Sequence, residues 1–129
     1  MNFVTASFSK LYEGGVKLTN NGAPSDKIVR AMTEGVDLNN AAYLAFETAD
    51  YEKSVDKYQQ AIAIKLEAYG EDSKHICISL SGLCDAYLKL GDVENARKEA
   101  IRMLRIAKKI DDPEQKRIAR EILSDIQNV

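Results

Sequence analysis

Three side chains in this sequence bring nucleophile, metal-ligand or proton-carrier chemistry close together: His75, Cys77 and Cys84. A Cys–His pair runs thiol chemistry when a neighbouring base lowers the thiol pKa and a third group orients that base. His75 is the only histidine in 129 residues. It stands at a helix start, and no Ser–His–Asp or Cys–His set assembles around it. It reads as structural or solvated. Cys77 has only Lys74 and His75 as nearby basic residues, a small cluster for a reactive thiol. Cys84 reads as a small core residue. Positions 75, 77 and 84 do not have zinc-ligand spacing. Gly14-Gly15 lacks the residues of a phosphate-binding loop. These positions predict no enzyme, no catalytic residue, no metal and no cofactor.

The two cysteines lie seven residues apart in one helical pattern, about 10 Å along the axis. That separation exceeds disulfide reach, so both thiols are expected reduced, which suits a cytoplasmic location. Met1–Ser9 has no basic start or long apolar stretch of a secretory signal, and no apolar run approaches the ~20 residues that span a membrane. Hydrophobic residues at 45% and charged residues at 29% are ordinary for a globular chain. The net charge of −2 gives no bulk attraction to nucleic acid or membrane.

The elements that must position any site are helices. Only Pro24 and Pro113 interrupt a chain rich in Ala, Lys, Glu, Leu and Ile. The apolar spacing and end signals predict helices over about 26–48, 51–69, 74–90, 93–110 and 114–127. Ser25, Asp50, Ser73 and Asp92 are the expected N-caps. Gly70 is an expected stop, and Pro113 suits a first turn. Gly35 is a candidate break in the first helix, whose apolar residues are Ile28, Val29, Met32, Val36, Leu44 and Phe46. The last helix sets Ile118, Ile122, Leu123 and Ile126 against Lys116, Arg117, Arg120, Glu121 and Asp125, one buried stripe and one wet face. Residues 1–24 form a separate segment, a short helix or a mobile arm.

Two stretches align at an offset of 42 residues. Ala49-Asp50-Tyr51-Glu52 matches Gly91-Asp92-Val93-Glu94, and Ile62 and Ile64 match Leu104 and Ile106. Small residues at Ala42, Ser54, Cys84 and Ala96 fall where two helices would cross. A helix pair cannot bury its apolar face alone, so such units stack. This arrangement resembles the tetratricopeptide repeat family. The first-helix pattern falls on Leu80, Leu83, Cys84 and Tyr87 in the second unit, and on Leu38, Ala41, Ala42 and Ala45 in the first. The 42-residue spacing departs from the usual period of 34 and is similar to the longer-helix, kinesin-light-chain-like version, in which Ala61–Ser73 is also at home. The resemblance covers residues 35 to 110. It implies an all-α fold of helical hairpins in a superhelix (residues 25–129), with a C-terminal capping helix.

The resemblance further implies a binding module whose partner is another protein or peptide. The contacts would come from the concave face of the first helices: Asn39, Tyr43 and Glu47, then Ser81, Asp85 and Lys89. Within each trio the spacing of four residues keeps one helix face. The clamp by which some relatives hold acidic chaperone tails is not reproduced. Asn39 stands where that clamp has Lys, and Tyr43 and Gly82 stand where it has Asn. Self-association of a structural repeat protein is the alternative expectation. Residues 97–120 hold nine basic and four acidic residues, which reads as a solvated helix face. Aromatics are missing there, so base stacking is not expected.

Overall fold

The chain reverses direction three times by one device. Ala49 (φ 62°), Gly91 (φ 77°) and Asp111 (φ 53°) each take the left-handed conformation. The following Asp50, Asp92 and Asp112 amides reach back to the carbonyls of Ala45, Tyr87 and Ala107 at 2.8, 2.9 and 3.0 Å. These bonds satisfy carbonyls that a helix end leaves without partners. The same three aspartates then cap the next helix, their carboxylates accepting from the amides of Lys53, Asn95 and Gln115. One short motif thus ends one helix and starts another.

The computed structural model describes residues 25–128; the short helix or arm expected over 1–24 lies outside them. Five helices follow. The first, α1, covers residues 26–47 as Asp26–Arg30, a π-helical turn Ala31–Gly35, and Val36–Glu47. The others are α2 (Tyr51–Tyr69), α3 (Lys74–Lys89), α4 (Val93–Lys109) and α5 (Pro113–Gln127). Ser25 and Ser73 cap α1 and α3, each hydroxyl accepting an amide at 3.3 Å. Gly35 does not break α1. It sits inside the π-turn, where an added Cβ would lie 3.6 Å from Ile64 and 3.7 Å from Lys65. Its bareness lets α1 and α2 approach closely.

Each helix packs on the next. In addition, α3 touches both α1 and α5, whereas α2 and α4 never bring their Cα atoms within 8 Å. Helix α3 therefore has neighbours on several sides and buries the most: Ile76, Cys77, Ser79, Leu80, Leu83, Cys84 and Ala86. Ala96, Ala100, Met103 and Ile106 of α4 and Ala119, Ile122 and Ile126 of α5 complete this core. On α5 the polar residues Arg117, Arg120, Glu121 and Asp125 stay exposed, opposite the buried stripe.

The crossings fall where the small residues predicted them. Ser54 Oγ donates to the Ala42 carbonyl at 2.8 Å, and Cys84 Sγ donates to the Ala96 carbonyl at 3.5 Å. The two pairs are 42 residues apart, with the donor on opposite helices. The apolar face read for α1 is only partly the buried one. Ile28, Ala31, Gly35, Ala42 and Ala45 are buried, while Val36 and Leu44 are exposed. Close approach to α2 admits small residues, and helical geometry turns Val36 and Leu44 to the opposite side.

Candidate functional site

The thiols and the imidazole lie where the chain has little use for them as reagents. Cys77 and Cys84 are both fully buried. Burial pushes the Cys77 thiol up to about 11 and the Cys84 thiol up to about 12, with nearby carboxylates adding to each. Reactive thiols need the opposite shift. Cys77 Sγ points to the Met103 carbonyl at 3.8 Å. His75 stacks on Tyr69 with ring centroids 3.9 Å apart. Burial, then Lys65 and Lys74, lower its pKa, so it is neutral at pH 7. Among the described residues no group of three or more His, Cys, Asp or Glu is placed to hold a metal ion. No helix is long and apolar enough to cross a membrane.

The six positions read as partner contacts divide into two kinds. Asn39 and Ser81 are occupied within the fold. Asn39 Oδ1 accepts from Ser79 Oγ at 2.8 Å, and Ser79 Oγ in turn accepts from Lys65 Nζ at 2.8 Å. This chain ties α1, α2 and α3 together. Ser81 Oγ donates to the Ile78 carbonyl of its own helix at 3.2 Å. Tyr43, Glu47, Asp85 and Lys89 are exposed. Glu47, one turn from Tyr43, raises the phenol's pKa.

Tyr58 was not among the six, and the structure adds it. It projects from α2 toward α3 and is 5% exposed. A Cβ at Gly82 would lie 2.3 Å from its Cζ and 2.5 Å from its Oη. Burial raises the Tyr58 pKa, and Asp85 and Tyr43 raise it further. Burial also raises the Asp85 carboxyl, Asp125 adds to the rise, and Lys89 opposes it. Asp85 is exposed as a residue, so the crowding acts on its carboxyl group at the Tyr58 edge. Residues of α1, α2, α3 and α5 thus meet at one place. Its sequence signal was the absence of a side chain at Gly82, beside a tyrosine read only as part of an apolar face.

Lys65 was also missed. It is 6% exposed, and its pKa is lowered by burial. Its ammonium donates to Ser79 Oγ and, at 3.5 Å, to the His75 carbonyl, without a carboxylate.

The basic stretch 97–120 is largely paired. Arg102 binds Glu71 through two bonds of 2.8 Å and Glu99 through one of 3.1 Å. Arg105 joins Glu71, Lys109 joins Asp72, Lys116 joins Asp111 and Arg117 joins Glu121. Three of these acidic partners, Glu71, Asp72 and Glu121, come from outside the stretch, so its excess is partly neutralised in the fold. A groove of about 570 Å³ lies on the other flank of α1, lined by Arg30, Glu34, Leu38, Lys57, Gln60 and Ile64 among others. None of the six predicted contact residues lines it. Comparison with family models, curated proteins and solved structures returns no match for this chain.

Proposed function

We propose that this chain is a protein-interaction module of the cytoplasm, not an enzyme. In this reading two tetratricopeptide-like hairpins, α1–α2 and α3–α4, are closed by α5 and hold a partner peptide or helix on the face shared by α1 and α3. One observation carries it. Four of the six exposed large apolar side chains, Val36, Tyr43, Leu44 and Ile78, belong to α1 and α3, and α2 has none. Single exposed apolar residues need no explanation, but a collection on one face marks an interaction site. Val36 and Ile78 are also 42 residues apart, at equivalent repeat positions.

The packing suits that reading. α3 touches α1 and α5 while α2 and α4 stay apart. A layer closed on one side and open on the other curves, and its closed side is concave. The partner is another protein. The carboxylates on this face oppose phosphate, so nucleic acid and anionic membrane do not fit it.

The test is partner recovery with Tyr43→Arg and Asp85→Lys, singly and together. The partners retained by the wild-type chain are expected to be lost, with the melting temperature held. Undiminished recovery with both residues reversed would remove this face from the function.

A further inference from the structure

The Tyr58 hydroxyl has no hydrogen-bond partner among the described residues, although its side chain is 95% buried by the same measure that leaves it 5% exposed. A buried hydroxyl without a partner costs roughly 1–3 kcal/mol. It is not sealed off, since the orphaned buried side-chain atom of this structure is Gln115 Oε1. The hydroxyl therefore reaches the surface through a narrow opening beside Gly82. Glycine at 82 keeps that opening. Any other side chain would occupy the space of the Tyr58 ring.

The groups around the opening share one character. Asp85 acts on the Tyr58 phenol, Asp125 acts on Asp85, and Tyr43 adds its own phenol. Glu47 lies one turn beyond Tyr43. Lys89 is the cation among them. The balance is three carboxylates against one ammonium, beside the accessible ring of Tyr43, which is 59% exposed.

Resting on the reading above, we propose that Tyr58, Asp85 and Tyr43 form a receptor for one basic side chain, arginine or lysine, of a partner's peptide segment. A guanidinium or ammonium only donates hydrogen bonds. It donates to the Asp85 carboxylate and to Tyr58 Oη, which has a free acceptor site. The Tyr58 O–H then donates to Asp85 or to a carbonyl of the segment. The Tyr43 face attracts the same cation. A cation also relieves the repulsion between Asp85 and Asp125. Val36 and Ile78, each more than two-fifths exposed, take the apolar neighbours of the basic residue. An acidic side chain meets three carboxylates there, and a neutral one leaves Asp85 without a charged partner.

The experiment uses the full chain, ¹⁵N-labelled, titrated with capped heptapeptides that carry leucines around one central residue. That residue is arginine, lysine, citrulline or glutamate. Arginine and lysine peptides are expected to shift the amides around Tyr43, Gly82 and Asp85. The citrulline peptide is expected to bind about ten-fold more weakly, the size of a lost charge-assisted hydrogen bond. Asp85→Asn should abolish the preference for charge, and Tyr58→Phe should weaken the arginine peptide about three- to ten-fold. Both variants should melt no lower than wild type, because each removes an unfavourably placed polar group. Arginine binding should also fall as acid protonates Asp85, whose raised pKa brings this loss to a higher pH than for an ordinary aspartate. The Asp85→Asn variant should show no such fall. Ile101→Ala, on α4, is the control and should bind normally.

Equal binding of citrulline and arginine at these amides overturns the basic-side-chain receptor while leaving the interaction face intact. Shifts confined to other surfaces, or no shift with any peptide, overturn both.

Discussion

The two helix pairs use the same crossing and divide the labour differently. In the first, Ser54 donates to Ala42, and the helix that carries Ala42 buries mainly small residues. In the second, Cys84 donates to Ala96, and α3 buries Ile76, Leu80 and Leu83 among six other elements of core from α2, α4 and α5. α1 faces α2 and only the edge of α3, whereas α3 is packed from several sides. A repeat stack gains stability from its interfaces, so the second pair anchors the fold. The first pair displays Val36, Tyr43 and Leu44, large apolar residues that its own packing does not use.

The contrast breaks most visibly at matched leucines. Leu80→Ala, at a fully buried site, should cost about 2–5 kcal/mol by loss of transfer energy and creation of a cavity. Leu44→Ala, at a residue 64% exposed, should change stability by no more than about 0.5 kcal/mol. Urea unfolding of both variants checks this. Gly82→Ala comes next. The clash with Tyr58 should destabilise by about 1–3 kcal/mol, and adding Tyr58→Ala should remove most of the clash in a double-mutant cycle.

The equivalent turns give a smaller, opposite-signed pair. Ala49 holds a left-handed conformation that glycine holds at 91. Ala49→Gly should stabilise by about 1 kcal/mol, and Gly91→Ala should cost about 1–2 kcal/mol. Thermal melts of the two variants decide it. Smallest is Lys65→Met. A buried lysine with a lowered pKa binds its proton less readily in the folded state than in the unfolded one. Its burden is therefore present at neutral pH and fades as pH rises through the lowered value. Replacement should be neutral or stabilise by about 1 kcal/mol, since Ser79 can still donate to Asn39. A melt near pH 7 measures it.

Helix ends were legible because their chemistry is local. Ser25, Asp50, Ser73 and Asp92 each accept an amide three residues on, a relation within one turn of chain. The 42-residue spacing was legible in the small residues Ala42, Ser54, Cys84 and Ala96. The buried side of α1 was less so, because Val36 and Leu44 fit a helical period as well as Ala42 and Ala45 do. Only the approach of α2 selects between them. The candidate site was half legible. Tyr43 and Asp85 were placed by the repeat pattern. Tyr58 was hidden, since its role depends on Gly82 of another helix. Lys65 reads as a solvated lysine until Ser79 and Asn39 arrive from α3 and α1.

The most direct measurement of the central claim is site-specific photo-crosslinking from two equally accessible positions. A photoreactive residue in place of Tyr43, 59% exposed on α1, is compared with one in place of Ile101, 54% exposed on α4. The account predicts partner adducts from position 43 and none above background from position 101. Adducts from 101 with none from 43 would contradict it.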